Sequence, residues 1–527
     1  MPAPFDPRTA ETTLFAALLR AARRHGKSKV ALEDAERQTL TYGRLVLASL
    51  VLGRALKKRT PPGAAVGLLL PNVNALVATL MGLNAYGRTV AMLNFTAGAR
   101  NLSSAVKIGP IGTVVTSRRF VDTAKLEDVV EAIGATEIAP GKRVEIIYLE
   151  DIRAGIGTAA KLGGLLRSLV AGLVHRRHAK APDQPAVILF TSGTEGTPKG
   201  VVLTSRNLAA NASQIFAHAG GILTPADTVM NPLPMFHSFG LTAGTLMPLL
   251  NGLKVVLYPS PLHYKQVPKL IGATKATVLF STDTFLQGYA RAADSGDLES
   301  IRYVIAGAER VKDATRQMWS RFGTTILEGY GATECSPVLA CNLPDASRPG
   351  SVGRLLPGIE VRLEPVEGIT EGGRLLAKGP NVMAGYLLAD KPGVIVPTAS
   401  GWHDTGDIVT IDDGFITIRG RAKRFAKIGG EMVSLAAIEA LASGLWPEHS
   451  HVALSLPDPR KGESLVLVTE RPDADKDALL EHARAEGFSE LWVPRTIMVV
   501  PQIPILGSGK IDFPATQDMV RRNRPLL

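Results

Sequence analysis

Residues 187–210 read VILFTSGTEGTPKGVVLTSRNLAA. The branched apolar run 187–190 predicts a strand that enters a glycine-rich loop, and Ser205 is placed to cap the helix that follows. Gly193, Gly196 and Gly200 permit close turns. Thr191, Ser192, Thr194 and Thr197 supply hydroxyls and Lys199 an ammonium, a set that can surround phosphate oxygens together with backbone N–H groups. The common P-loop spacing is not met, because Lys199 is followed by Gly200. A plain polar connector is the competing reading of the loop taken alone.

Working outward, the chain keeps the same alternation. Helical patterns over 11–24 and 42–57 flank short branched runs such as 66–70, and further strands are expected at 255–258, 277–280, 301–305 and 325–327. Such text favours an α/β fold of largely parallel sheets covered by helices. The texture changes near residue 407. There 408–411, the Asp412-Asp413-Gly414 turn and 415–419 read as a hairpin leading into a basic stretch. After it come a helix capped by Ser434, strands near 452–456 and 464–469, a helix near 476–486 and a strand near 496–500. The expected organisation is a large layered α/β body, residues 1–420, and a small α+β domain, residues 421–527.

Composition narrows the class. With 527 residues, 45% hydrophobic and 20% charged, the chain is too long for a lone recognition module and too apolar to be mainly disordered. Lys plus Arg at 59 against Asp plus Glu at 48 gives +11, which favours an acidic partner: a nucleotide, an anionic membrane surface or an acidic protein. Cys335 and Cys341 cannot make a disulfide framework and have no neighbouring Cys/His cluster, so a reducing compartment and no structural metal site are expected. The start, MPAPFDPRTAETT, lacks a basic-then-apolar leader, and no window of transmembrane length is free of polar interruption. A cytoplasmic protein is the expectation. The segment 155–180 stands apart, since LGGLLRSLVAGLVHRRHAK joins an apolar run to a basic, histidine-rich end. A helix lying on anionic lipid at the inner face of a bacterial membrane and a surface helix with a solvated basic end are both open readings.

Several other stretches carry chemistry. In EGYGATE, 328–334, Tyr330 suits a base-covering ring, Thr333 a donor to an α-phosphate and Glu334 a ligand for a hard divalent cation. In WHDTGD, 402–407, a turn ends in Asp407, whose carboxylate can accept two ribose hydroxyls, and Arg421 and Lys423 follow the hairpin. LGSGK, 506–510, presents Lys510 on a glycine-rich loop able to swing over a reacting carboxylate and phosphate. His237 in PMFHSFG is a candidate catalytic residue, with a core or loop histidine as the competing reading. With Thr282, Thr284, Phe285, Gly307 and Ala308 it can line a pocket for an apolar acid.

Taken in order, TSGTEGTPKG, EGYGATE, WHDTGD, GRAKRFAKIGGEMVSLAAIE and GSGK resemble the adenylate-forming superfamily of acyl-CoA synthetases, luciferases and peptide-synthetase adenylation domains, over about residues 10–520. The resemblance implies a two-step reaction in which a carboxylate attacks the ATP α-phosphate to give an acyl-adenylate, and a thiol then takes the acyl group. It implies that Thr191, Ser192, Gly193, Thr194 and Lys199 hold pyrophosphate, with Thr333 on the α-phosphate, Glu334 on Mg2+ and Tyr330 over adenine. Asp407 and Arg421 take the ribose, and Lys510 serves adenylation. Gly307, Ala308, Glu328 and Gly329 are placed with the nucleotide-binding positions. For the thiol step the small domain turns about Lys423, bringing Lys427, Gly429 and Gly430 toward a pantetheine tunnel.

Glu195 stands where the superfamily has Thr or Ser, and its carboxylate is expected to turn away from the phosphates. With LPMFHSFGLT, VVLYPSPLHY, YVIAGAE and RAKRFAKIGGEMVSL it resembles the synthetase half of the bacterial bifunctional 2-acylglycerophosphoethanolamine acyltransferase/acyl-[acyl carrier protein] synthetase. That likeness implies ATP-dependent loading of a medium- or long-chain fatty acid onto the phosphopantetheine of acyl carrier protein, with a long-chain acyl-CoA synthetase as the alternative. No domain with an early His-x4-Asp motif precedes, so a separate acyltransferase is the expected consumer. An acidic carrier protein suits the basic chain, and no nucleic acid partner is expected.

Overall fold

The computed structural model describes residues 5–192, 198–428, 431–458, 462–505 and 511–523. Gly193, Thr194, Glu195, Gly429, Gly430 and Lys510 lie outside the described residues. Two compact units are present: unit 1 comprises 1–347, 355–360 and 378–403, and unit 2 comprises 348–354, 361–377 and 404–527. The 420/421 boundary expected from sequence therefore falls within unit 2.

Unit 1 is built on two sheets. In the first, Val30–Glu33, Lys254–Leu257, Thr228–Asn231, Val278–Ser281, Tyr303–Ala306 and Thr325–Gly331 lie side by side in parallel. Thr39–Thr41 and Val338–Cys341 flank them antiparallel. The second runs Lys391–Val396, Gly385–Leu388, Pro198–Thr204, Pro185–Ser192, Thr89–Met92, Ala65–Leu68, Thr113–Thr116, Glu145–Tyr148. From Pro185–Ser192 onward its pairs are parallel. Strands buried on both faces need no polar alternation, which is why Val90, Val114 and Val255 sit in continuous apolar runs.

The helix Asn74–Ala85 is buried on nearly every side, and Tyr42–Lys57 crosses it at a small-residue contact. A Cβ on Gly53 would stand 2.3 Å from the Gly82 carbonyl oxygen, and one on Gly82 2.5 Å from that of Ser49. The 42–57 helix matches the sequence expectation at both ends. The Ser205–His218 helix does not: its cap is Thr204, whose extended backbone lets its hydroxyl accept from Asn207 N–H while the Asn207 side chain accepts from Thr204 N–H. Ser205 instead accepts from Leu14 N–H.

Two other expectations change. Residues 328–331 are the second half of the strand Thr325–Gly331, held by antiparallel pairing to Val338–Cys341. From His403 the 402–407 stretch is strand rather than turn: His403–Asp412 lies between Gly373–Lys378 and Phe415–Arg421, pairing with the latter from Asp407 onward. The hairpin turn itself is as expected, with Asp413 and Gly414 both at positive φ.

In unit 2, strands run in the order Glu360–Glu364, Gly373–Lys378, His403–Asp412, Phe415–Arg421, Arg354–Leu355. A three-stranded sheet, His451–Asp458, Gly462–Thr469 and Thr496–Val499, packs against Leu435–Leu445 and Lys476–Ala485. Ser434 caps the first of these helices by accepting from Ala437 N–H. Neither Cys335 nor Cys341 is in a disulfide. Burial pushes the Cys341 thiol up to about 12, so it carries no thiolate chemistry at neutral pH.

Candidate active site

The phosphate-loop candidate joins two paired strands, and Thr191 is the cross-strand partner of Lys199. Next to Pro198–Thr204 lies Gly385–Leu388. Gly200 lets them approach, since a Cβ there would stand 3.1 Å from that of Leu387. Lys199 Nζ sits 5.7 Å from the centre of the Tyr386 ring. From that ring the hydroxyl donates to Glu334 Oε1 at 2.8 Å. The Glu334 carbonyl in turn accepts from Met383 N–H at 2.8 Å. Glu334 is thus fixed by main chain and side chain at once.

Thr333 begins the short 3-10 turn Thr333–Cys335 at the end of its strand. Its hydroxyl lies 3.3 Å from that of Ser238, which enters the π-helix Phe239–Leu246. A π-helix leaves carbonyls out of register, and Asn231 answers this by donating to Gly240 O and to Thr245 Oγ1, each at 2.9 Å. Gly240 and Gly244 are needed where they stand: a Cβ would meet the Leu233 carbonyl at 2.4 Å in one case and the Asn231 amide at 2.5 Å in the other. His237 is half-buried beside Phe236, ring centres 4.8 Å apart, and Phe236 packs on Phe95.

Gly307 lies against the Phe239 ring, and Ala308 holds φ +71. A non-glycine residue there stores backbone strain of roughly 1 kcal/mol. Glu309 follows, accepting on Oε2 from the Thr284 hydroxyl at 2.8 Å, and burial raises its carboxyl above the usual range. Gly329 and Gly331 allow the neighbouring strand in, since a Cβ on Gly331 would stand 2.1 Å from the Pro337 carbonyl oxygen. Tyr330 is buried. The Glu328 carboxylate is engaged within the protein, accepting from Val311 N–H at 3.0 Å and from Arg316. It is therefore a brace for its strand as the structure stands.

In unit 2, Asp407 is 5% exposed and Arg421, its cross-strand partner, sets Nε 3.2 Å from Asp407 Oδ1. Thr405 Oγ1 accepts from Asp407 N–H and donates to Leu375 O. Lys427 is exposed, with Nζ 3.7 Å from Glu367 Oε1.

Within unit 1 the structure therefore gathers Lys199, Ser238, Thr333, Glu334 and Tyr386. Asp407 and Arg421 come together within unit 2. Ser238, Tyr386, Glu309 and Asn231 were missed in the sequence. HSFG advertised Ser238, but nothing local marks Tyr386, which reaches the site only through strand pairing. Among the described residues no group of three or more His, Cys, Asp or Glu could hold a metal ion. A single fixed carboxylate among hydroxyls does suit Mg2+, which takes few protein ligands when substrate phosphates supply the rest.

Lys199, the Thr333–Ser238 hydroxyl pair and the Tyr386-held Glu334 thus offer an ammonium, hydroxyls and a fixed carboxylate together, a set suited to phosphate oxygens and their cation. The family model described as AMP-binding enzyme matches residues 18–387, more than half of the chain, and the chain belongs to that family. It is an AMP-forming acid–thiol ligase, which activates its acid with ATP as an acyl-adenylate. A 3-[(3aS,4S,7aS)-7a-methyl-1,5-dioxo-octahydro-1H-inden-4-yl]propanoyl:CoA ligase of Rhodococcus jostii (strain RHA1) is 29% identical over 95% of this chain and 97% of its own. A long-chain-fatty-acid–CoA ligase of Salmonella typhimurium is 28% identical over 89% and 87%. Among solved structures, ATP-bound MatB from Rhodopseudomonas palustris superposes with a TM-score of 0.80, at 23% identity, over 97% of this chain and 99% of that one.

Proposed function

We propose that the chain activates a medium- or long-chain fatty acid and passes the acyl group to a phosphopantetheine thiol. The relatives described above are CoA ligases, and CoA is the acceptor they favour. The observation that carries the chemistry is the convergence of Lys199, Thr333 and the Tyr386-held Glu334. Thr191, Ser192, Gly193, Thr194 and Lys199 would hold phosphates, Thr333 the α-phosphate and Glu334 the magnesium ion, which neutralises phosphate charge when bound. Gly307, Ala308, Gly329 and Tyr330 would border the adenine and acid, with His237 at the acid. Asp407 and Arg421 would take the ribose and Lys510 the reacting carboxylate. Residues 421–527 would act as the mobile part, turning about Lys423 so that Lys427 and Gly430 serve the thiol step.

Acyl carrier protein is the second reading of the acceptor. It is favoured by the motif likeness through residues 185–515 and by the +11 charge. Its product would pass to a separately encoded acyltransferase. Paired turnover with CoA and with holo acyl carrier protein, across fatty-acid chain lengths, decides between the two. A higher kcat/KM for CoA at every length would sink the carrier-protein reading, and absence of acid-dependent pyrophosphate release with any fatty acid would sink both.

A further inference from the structure

The stretch 152–182 contains Arg153, Lys161, Arg167, Arg176, Arg177 and Lys180 and not one Asp or Glu. In the structure it forms two helices, Thr158–Leu169 and Ala171–Arg176, broken at Val170. Their orientation is the reverse of an ordinary surface helix. Gly164, Ala171 and His175 turn inward: Gly164 is buried so closely that a Cβ would stand 2.4 Å from Val51 Cγ2, and Ala171 and His175 are 5% and 4% exposed. Leu162, Leu166, Leu169 and Leu173 face outward at 61%, 59%, 70% and 52% exposure, with Leu165 and Val170 beside them. Globular proteins rarely leave so contiguous an apolar stripe in water. Beside it, a cleft of about 420 Å³ is lined by Leu47, Ala48, Val51 and Ile156 with Arg44 and Arg153.

We propose that this face docks the protein on an anionic lipid bilayer, with the leucine stripe entering the acyl region and the arginines lying at phosphate level. Charge complementarity selects the occupant: an exposed apolar strip in a segment that carries six cations and no carboxylate fits a sheet of acyl chains under phosphates. Among the described residues no helix is long and apolar enough to cross a membrane, so the contact is interfacial. The inference does not depend on which thiol accepts the acyl group.

The test is co-sedimentation of the full chain with vesicles rich in phosphatidylglycerol or made of phosphatidylcholine alone. The chain should bind the first at low salt, release as salt rises, and be indifferent to excess free glycerol phosphate. Leu162→Ser/Leu166→Ser/Leu169→Ser should lower partitioning about tenfold or more, and Arg176→Gln/Arg177→Gln several-fold with a weaker salt dependence. Both variants should keep wild-type melting and pyrophosphate release with detergent-dispersed acid. That control separates loss of docking from loss of folding or of ligase activity. No binding at low salt, or wild-type binding by the leucine variant, overturns the proposal. So does a leucine variant that alters self-association or carrier-protein turnover but not vesicle binding, since the face would then belong to a protein.

Discussion

Tyr386 illustrates how one side chain can hold two charges in register. Its ring faces the Lys199 ammonium and its hydroxyl donates to Glu334 Oε1, so the cation and carboxylate stand on opposite parts of one rigid group. Phenylalanine would keep the ring and remove the donor. A hydrogen bond to a charged acceptor contributes about 1–2 kcal/mol at a partly open site, so Tyr386→Phe should raise KM for Mg·ATP about five- to thirtyfold. Titrating magnesium at fixed ATP separates this positioning role from general damage: the half-saturating magnesium concentration should rise while the melting temperature stays put. An unchanged magnesium dependence would remove Tyr386 from the site. Legibility differs sharply at this scale. Lys199, Thr333 and Glu334 could be read in the sequence because each sits in a motif whose neighbours explain it. Tyr386 could not, because Glu334 lies 52 positions away in a 3-10 turn, and Lys199, farther still in the chain, reaches the ring only through the pairing of Pro198–Thr204 with Gly385–Leu388.

At the scale of elements, the Ala171–Arg176 helix is tied down by one imidazole. His175 Nδ1–H donates to the Ala85 carbonyl, and Nε2 accepts from Thr13, whose hydroxyl oxygen also accepts Ala16 N–H as the cap of Leu14–His25. Burial favours the neutral ring, in which Nε2 takes the Thr13 hydroxyl proton and that oxygen accepts Ala16 N–H. Burial pushes the His175 imidazole below its ordinary value near 6.5. The sign follows: the contribution is fully present above the ordinary value and is lost as pH falls from there through the lowered folded value, because the unfolded chain binds the proton first. Hydrogen-exchange protection of 171–176, corrected for intrinsic rates, should therefore decrease from pH 7.5 toward 5.5, and His175→Gln should abolish that pH dependence. Protection that rises on acidification would contradict the lowered His175 titration. Element by element, long amphipathic helices such as Tyr42–Lys57 were legible from periodicity. The errors came where local chemistry had two solutions: Thr204 and Ser205 are both capping residues, and the Asn207 side chain selects the first. Likewise 328–331 looks like a loop in its glycines, and only the antiparallel neighbour makes it strand.

For the whole molecule the +11 balance is a long-range property, and it separates the two acceptor readings by a measurement that needs no mutation. An acidic carrier protein meets the chain surface to surface, so many charge pairs contribute to encounter, and these are screened once separations exceed the Debye length of about 8–10 Å near physiological salt. CoA enters as a small ligand held by a few local contacts, which salt weakens less. If carrier protein is the acceptor, its KM should rise about tenfold between low and physiological ionic strength with kcat nearly constant, while acid-dependent pyrophosphate release without acceptor barely changes. Steady-state titrations of both acceptors over one salt series supply the comparison. Parallel salt slopes for carrier protein and CoA would mean that the global field is not used for docking the acceptor. The basic surplus would then be accounted for by the cations of the segment 152–182 and by the phosphate-binding residues, and the acceptor by the shape of its tunnel alone.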